Sequence, residues 1–241
     1  MMTYYIISEK GSREINEDSV RVFQENGYFC AALADGLGGH GYGNLASAIV
    51  TTNVARVAKK SREVSEVYIR KSFEESQKIL LEEQKIQKKE FAMKTTLVVL
   101  MADQNKMQWG HVGDSRLYYF ENERIKERTL DHSVPQALAL AGEIKESEIR
   151  NHPDRSRLLR AMGIEWTKPA YKISEEKIRS KKQAVLICSD GFWEWIEEKQ
   201  MEECLSKAKD VEEWVTAMQN IILKNADTDH MDNYSAIAVW F

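Results

Sequence analysis

Several acidic residues of this chain lie directly beside apolar segments, where a carboxylate could bind a cation. The segment Tyr28–Ala34 is followed by Asp35-Gly36, and Ala184–Ser189 is followed by Asp190-Gly191. A buried carboxylate is costly unless it is paired or binds a cation, and a glycine beside it lets a ligand approach the backbone. A single Asp-Gly more often forms a simple turn, so ordinary turns stay open as an alternative at this point.

Further acids stand where a predicted strand begins. Glu17-Asp18 precedes Ser19–Gln24, and Asp232-Asn233 precedes the last apolar segment. Oxygen ligands alone select hard cations such as Mg²⁺ or Mn²⁺. Histidines and cysteines do not cluster, which disfavours zinc. The cysteines are odd in number and widely spaced, which favours free thiols in a reducing compartment over disulfides.

The elements that must position these acids are visible in the apolar pattern. Short apolar or alternating segments predict strands, and the short links at Asn26-Gly27 and 121–123 favour antiparallel pairing. Longer amphipathic segments predict helices over Asn44–Lys60, Val64–Glu90 and Val211–Lys224. The predicted strands are Tyr4–Ser8, Ser19–Gln24, Tyr28–Ala34, Thr95–Ala102, Lys106–His111, Arg116–Glu121, Arg124–Glu127, Ala184–Ser189 and Tyr234–Phe241.

Residues 133–168 carry no strong hydrophobic period and predict a short helical or loop insertion. No low-complexity linker interrupts the chain. We therefore expect a single domain of the α+β class, in which antiparallel strands are covered by helices.

Composition excludes several classes of protein. The 241 residues include 34 Lys and Arg against 38 Asp and Glu, with 43% hydrophobic residues, so a disordered chain is not expected. A dense basic segment is missing, which argues against a nucleic-acid partner. The longest apolar run, Tyr28–Ala34, is far shorter than the ~20 residues that cross a bilayer, and the N-terminus does not resemble a signal peptide. We expect a soluble, cytoplasmic protein without a membrane partner.

The acids belong to an ordered series of short motifs. The series is Arg13-Glu14-Ile15-Asn16-Glu17-Asp18, Ala34-Asp35-Gly36-Leu37-Gly38-Gly39-His40, Met93-Lys94-Thr95-Thr96, Gly113-Asp114-Ser115-Arg116, Asp131-His132-Ser133, Cys188-Ser189-Asp190-Gly191 and Asp232-Asn233-Tyr234-Ser235. In order and separation it resembles the metal-dependent protein phosphatases, the protein phosphatase 2C-like (PPM) family, and its compact bacterial serine/threonine members in particular. The resemblance extends from about Ser8 to Val239.

This resemblance implies a fold and a metal centre. The fold is a four-layer α-β-β-α sandwich of two antiparallel sheets flanked by helices, and residues 1–241 form a single PPM-type phosphatase domain with a flap-like insertion at about 133–168. Two Mg²⁺ or Mn²⁺ ions lie at one end of the sandwich. Asp35 would bridge them, Asp190 and Asp232 would complete one, and the Gly36 carbonyl would hold the other.

The resemblance also implies roles around these ions. Glu17 and Asp18 would act mainly through metal-bound waters, and Asp114 matches the acid that holds a third, weaker ion in bacterial members. Arg13 matches the arginine that binds the substrate phosphate, a task that suits a planar guanidinium. Arg13 and Asp18 are therefore the candidate catalytic residues. An exposed arginine at a strand edge is the plainer interpretation of Arg13.

The activity implied is hydrolysis of phosphoserine and phosphothreonine in proteins by a water that bridges two metals, reversing a bacterial Ser/Thr kinase. The expected partners are phosphorylated proteins, with the kinase and its substrates among them, and the expected state is a monomer. Ser189 precedes a metal-site aspartate and is interpreted as structural.

The chain departs from the family pattern at several positions. Leu37 stands where some members have a general-acid histidine, so the proton donor is unassigned; His40 is interpreted as a helix-entry or packing residue. Lys94 replaces a glycine, which hints at an altered local backbone, and Asn44 replaces a frequent glutamate. Glu194 stands where an aspartate often helps the third ion, which puts that site in doubt.

Two other functions stay open. A catalytically inactive pseudophosphatase would keep the fold and bind phosphoproteins without turnover, and Lys94 and Glu194 motivate it. A metal-dependent nuclease or a Ca²⁺-binding domain would explain the acids, but neither would explain Arg13 or the order of the motifs.

Overall fold

The computed structural model describes residues 2–37, 42–89, 92–227 and 229–241, and its described strands form two antiparallel sheets. The first sheet has the spatial order β1 (Thr3–Glu9), β11 (Tyr234–Trp240), β10 (Gln183–Cys188), β6 (Arg116–Glu121) and β7 (Arg124–Arg128). The second has the order β2 (Ser19–Glu25), β3 (Tyr28–Ala34), β4 (Leu97–Ala102), β5 (Lys106–Val112) and β8 (Lys172–Ile173), and β9 (Lys177–Ile178) also pairs with β5.

Helices cover the outer face of each sheet. The described helices are α1 (Gly43–Ser61), α2 (Glu66–Gln87), α3 (Val134–Leu140), α4 (Asp190–Trp193), α5 (Glu198–Lys207) and α6 (Val211–Asn225), with a 3-10 helix over Glu146–Asn151. The first two pack on the second sheet, and α4, α5 and α6 pack on the first. The α-β-β-α sandwich expected from the sequence is confirmed.

The alternation of side chains along the central strands explains the layers. In β10, Val185 and Ile187 lie between the two sheets with Leu33, whereas Leu186 on the opposite face joins Trp214 of α6 in the outer core. Strands that are buried on both faces read as nearly continuous apolar runs. That is the reason why Tyr28–Ala34 and Gln183–Cys188 were the clearest strands in the sequence.

The predicted strands agree with the structure to within one residue at each end, except that β4 begins at Leu97 rather than Thr95. Both predicted hairpin turns are confirmed, with Asn26 and Gly27 at φ values of 50° and 83°, and Asn122 and Glu123 at 49° and 65°. Such left-handed pairs give the turn whose twist matches that of paired strands. The sequence prediction missed α4, α5, β8 and β9.

The insertion at residues 133–168, called the flap below, contains α3 and the 3-10 helix. A bridge between Ser133 and Leu158 joins its two ends, a bridge from Met162 to Thr95 connects it to the rest of the chain, and its own Ile149 is buried. No helix in the described part of the chain is both long and apolar enough to span a membrane.

Candidate metal centre

The acids noted in the sequence meet at one end of the sandwich because antiparallel pairing puts the end of one strand beside the start of the next. Ser19 pairs with Ala34, which places Asp18 next to Asp35. In the other sheet, Cys188 at the end of β10 pairs with Ala236 near the start of β11. These strand ends border a cleft of about 730 Å³, and Asp18 is buried beside it. The lining of the cleft includes Arg13, Glu17, Asp35, Gly36, Lys94, Asp114, Asp190 and Asp232, with flap residues 156–158.

Two threonines hold the backbone of Asp35 in place. The Asp35 amide donates to Thr96 Oγ1 over 2.9 Å, and the Asp35 carbonyl accepts from Thr95 Oγ1 over 2.8 Å and from the Thr96 amide over 2.9 Å. Thr95 and Thr96 make these contacts, called the Thr95–Thr96 clamp below, directly before β4 begins at Leu97. The carboxylate of Asp35 takes no part in these hydrogen bonds and lies close to the carboxylates of Asp18, Asp190 and Asp114.

Asp18 is held by a serine pair between the sheets. Ser189 Oγ donates to Asp18 Oδ2 over 2.8 Å and accepts from the Ser235 amide over 2.9 Å, which supports the structural role predicted for Ser189. The other oxygen, Asp18 Oδ1, is buried without a hydrogen-bond partner among the described residues. A buried carboxylate oxygen of this kind requires a proton or a cation.

Burial and mutual repulsion raise the pKa values of the clustered acids. Burial raises the pKa of Asp18 to about 7, with Asp190 and Asp232 adding repulsion. Burial also raises the pKa of Asp35, and the negative charge of Asp18 adds to the effect. The pKa of Asp190 is raised by burial and by Asp232. Such a set of oxygens gains much from a bound cation, which would remove the repulsion.

The glycines that follow two of these aspartates serve the packing of the chain itself. A Cβ on Gly36 would lie 2.4 Å from the Gly43 backbone, and one on Gly191 would lie 2.2 Å from the Asn233 carbonyl oxygen. The Asp-Gly pattern of the sequence predicts that a ligand approaches the backbone at these glycines. In the structure the group that approaches each glycine is the backbone of another segment of the chain. The Gly36 carbonyl can still bind a ligand.

The N-terminal loop brings Arg13 and Glu17 to the cleft. Arg13 Nη2 donates to Asp232 Oδ2 over 2.9 Å while its side chain stays 59% exposed. Glu17 Oε1 accepts from the Gly43 amide at the start of α1 over 3.2 Å. Asn233 fixes this loop, because its side chain accepts from the Glu17 amide and donates to carbonyls of the loop.

Asp114 lies on the turn between β5 and β6, where the structure reveals a contact that the sequence analysis missed. A buried bidentate ion pair joins the motif of Asp114 to the motif of Asp131, and in it Arg116 Nε and Nη2 donate to Asp131 over 2.8 and 2.7 Å. Trp193 Nε1 donates to the Asp114 carbonyl over 3.0 Å. Burial, together with repulsion by Asp190, raises the pKa of Asp114 well above its ordinary value.

Two departures from the family pattern can be located. Lys94 lines the cleft, its carbonyl accepts from the Leu37 amide over 2.9 Å, and its φ is not in the positive region, so the replaced glycine was not needed for its backbone conformation. Glu194 follows α4 and forms an ion pair with Arg155 of the flap. Nothing in the sequence paired these two residues. His40, with Gly38 and Gly39, lies outside the described residues.

The donor chemistry of the cleft fits Mg²⁺ or Mn²⁺, which prefer oxygen ligands. The unpartnered Asp18 Oδ1 and the raised pKa values of its neighbours point the same way. Within the described ranges, no three His, Cys, Asp or Glu side chains already converge as ligands of one ion. The acids therefore line a cleft, and the ligand set predicted for Asp35, Asp190 and Asp232 stays a prediction.

Comparison with known proteins identifies the family. The protein phosphatase 2C family model matches residues 8–233. The chain belongs to the protein phosphatase 2C family. The resemblance found in the motifs is thereby confirmed.

Individual relatives of this family member agree in sequence and in fold. The serine/threonine phosphatase stp of Listeria monocytogenes is 31% identical over 210 residues, covering 83% of this chain and 81% of the relative. The solved Mycobacterium tuberculosis serine/threonine phosphatase PstP/Ppp superposes with a TM-score of 0.86 at 25% identity, over 100% of this chain and 98% of the other. The catalytic domain of PstP, solved in complex with two manganese ions, has a TM-score of 0.82 at 23% identity, over 99% and 97% of the two chains.

Proposed function

We propose that this protein phosphatase 2C member hydrolyses phosphoserine and phosphothreonine in phosphorylated proteins with the help of Mg²⁺ or Mn²⁺. The observation that carries the proposal is the meeting of Asp35, Asp190 and Asp232 in one cleft with Arg13 at its mouth. The matching family is one of metal-dependent protein serine/threonine phosphatases. A solved relative of the same fold contains two manganese ions.

The acids of the cleft would hold the cations. Asp35 would bridge two ions, Asp190 and Asp232 would complete one of them, and the Gly36 carbonyl would serve the other, while Glu17 and Asp18 act through waters. When bound, two such ions supply a nucleophilic water at neutral pH and positive charge opposite the phosphoryl oxygens. The Thr95–Thr96 clamp on the Asp35 backbone and the serine contact of Asp18 keep these carboxylates in place before substrate arrives.

Arg13 would bind the phosphate. Its guanidinium already meets one carboxylate oxygen at the cleft mouth, and its exposed side chain can turn to an arriving phosphoryl group. A guanidinium binds two oxygens of such a group in parallel. Lys94 adds a second positive charge to the lining of the same cleft. Substrate binding would therefore depend on the positive charges of Arg13 and Lys94 more than on apolar contacts.

The finer expectations from the sequence belong to this proposal as well. They are a single domain over residues 1–241, a cytoplasmic monomer, and a role opposite a Ser/Thr kinase. The flap borders the cleft through residues 156–158, which supports an influence on substrate choice.

Hydrolysis of a phosphothreonine peptide by the pure protein tests the proposal. Phosphate release is measured with Mn²⁺, with Mg²⁺ and with a chelator, and release that needs the metal is the expected result. A folded protein that binds the peptide but releases no phosphate in any metal would contradict the proposal and favour the pseudophosphatase.

A further inference from the structure

The ion pair between Glu194 and Arg155 joins the metal cleft to the flap. Glu194 is nearly inaccessible, with 6% of its side chain exposed, and its amide donates to the Asp190 carbonyl over 3.0 Å. Arg155 contacts Glu194 from a loop of the flap that is stabilised by two backbone hydrogen bonds. In this loop the Arg155 amide donates to the His152 carbonyl, and the Arg157 amide donates to the Asp154 carbonyl. The two side chains thus meet across the edge of the cleft.

Each partner depends on the other. Apart from their mutual contact, neither Arg155 Nε nor Glu194 Oε1 has a hydrogen-bond partner among the described residues. A buried carboxylate without a counter-ion is strongly unfavourable. Arg155 therefore supplies the counter-ion for Glu194 whenever this carboxyl group loses its proton.

The family resemblance implies a third ion at Asp114 and position 194, and the contact with Arg155 is made by the residue at 194. The ligand positions for such an ion are Asp114 and the residue at 194, and Asp190 lies beside both, since it repels both acids. The positive charge of Arg155 also reaches Asp190, where it acts to lower the pKa. A guanidinium keeps its charge at every pH of interest, so a divalent ion bound at Glu194 would be repelled by it.

The residue types fit this arrangement. Glutamate is one methylene longer than the aspartate often found at this position, and the added length carries its carboxylate toward the flap. The donor set of Asp114 and Glu194 therefore does not fit a third ion while Arg155 is in place.

We propose that Arg155 is a built-in replacement for the third metal ion: its guanidinium pairs with Glu194, limits the chain to two ions, and ties the flap to the metal centre. The inference rests on the proposed two-ion function, and Arg155 acts in it as a positioning residue. It concerns the number of ions bound, which can be measured without any assay of phosphatase activity.

The test is the number of Mn²⁺ ions bound per chain, measured by equilibrium dialysis and by the electron paramagnetic resonance signal of free Mn²⁺. The wild-type protein is expected to bind two. Arg155→Met, which keeps the stem but removes the charge, is expected to raise the number of bound ions from two to three. Arg155→Lys keeps a positive charge and is expected to stay at two.

Arg160→Met is the matched control, because it removes another flap arginine whose side chain lines a different cleft. It is expected to bind two ions, and circular dichroism checks that every variant is folded. Three ions in the wild-type protein, or only two in Arg155→Met, would overturn the replacement. A folded wild-type protein that binds no Mn²⁺ at all would overturn the proposed function and this inference with it.

Discussion

At the scale of single residues, Arg13 has two partners to choose between, Asp232 and an arriving phosphate. Its pair with Asp232 is exposed, and exposed ion pairs contribute about 0–1 kcal/mol to stability. Arg13→Ala should therefore leave the fold intact. It should raise KM for a phosphopeptide about tenfold or more, since a hydrogen bond to a charged group contributes about 1.5–3 kcal/mol, with a smaller loss of kcat.

Steady-state kinetics with Mn²⁺ measure this effect, and Arg21→Ala is the control because Arg21 is an exposed arginine on β2. Unchanged kinetics in Arg13→Ala would remove Arg13 from phosphate binding. A loss confined to kcat would instead place its role at the metal centre.

Replacing Asp190 should change the stability of the protein as well as its activity. In Asp190→Asn, one charge leaves a cluster whose members repel one another, so the chelated protein should gain about 2–4 °C in Tm for each kcal/mol of relief. The Asn side-chain oxygen can still accept from the Gly191 amide, as Asp190 Oδ1 does over 2.6 Å. Activity should fall by more than about a hundredfold, because even indirect metal partners are worth about 10–100-fold in affinity.

Thermal unfolding with and without Mn²⁺ measures the change in Tm, and release of phosphate from a phosphopeptide measures the activity. The wild type should be stabilised by the metal and Asp190→Asn should not. Asp210→Asn is the control, since Asp210 caps α6 through the Glu213 amide and asparagine caps helices equally well. A metal-dependent gain in Tm that survives in Asp190→Asn would contradict its assignment as a ligand.

The sequence predicted some of these residues and not others for a physical reason. Asp35 and Asp190 were found because each follows an apolar strand, which is a local pattern. The pairs Arg116–Asp131 and Arg155–Glu194 were not found, because they join segments that only the tertiary fold brings together.

At the scale of elements, the strands of the core were predicted well because burial on both faces leaves a continuous apolar run. Helix α5 was missed because its ten residues are mostly charged or polar, and only Met201, Cys204 and Leu205 are buried. Strands β8 and β9 have two residues each, which is too short for any periodicity.

Arg150 makes a well-defined contact between the flap and α5. Arg150 Nη2 donates to Glu198 Oε1 over 2.7 Å, and its guanidinium lies 5.5 Å from the Trp193 ring centre. Arg150→Ala should open the flap locally more than it lowers global stability, because local opening involves only the contacts of the segment that moves. Limited proteolysis should cut residues 141–160 faster, while Tm falls by only a few degrees, about 2–4 °C per kcal/mol.

Glu143→Ala, which changes an exposed side chain of the same flap, is the control for this experiment. Equal cleavage rates in Arg150→Ala and the control would show that the contact with Glu198 does not hold the flap.

At the scale of the whole molecule, the acids of the candidate metal centre come from both sheets. Asp18, Asp35 and Asp114 come from the ends of strands in the second sheet or from its connection to β6, whereas Asp190 and Asp232 come from the first. Repulsion among them therefore acts across the sandwich, and a cation bound between them would hold the sheets together. Stability of the whole chain should follow the charge of this cluster.

The pH dependence of the chelated protein tests this view. An acid whose pKa is raised in the folded state binds more protons there than in the unfolded state, so stability falls as pH rises through that pKa. Asp18, whose pKa is raised from 3.8 to about 7, loses its contribution mostly below pH 7. Glu194, whose pKa is raised from 4.5 to about 9, extends the loss through the range from pH 7 to pH 9. The buried His111 and His132, whose pKa values are lowered, stay neutral throughout that range and do not contribute.

We therefore expect the Tm of the chelated protein to fall from pH 7 to pH 9, and the gain in Tm on adding Mg²⁺ to grow over the same range, because the metal requires deprotonated carboxylates. Thermal unfolding in buffers of constant ionic strength measures both slopes. In Asp190→Asn the fall should be shallower, since one source of repulsion is gone. A chelated protein whose Tm is flat or rises from pH 7 to pH 9 would show that the acids are already neutralised within the fold, and a bound cation would then have no repulsion between the sheets to relieve.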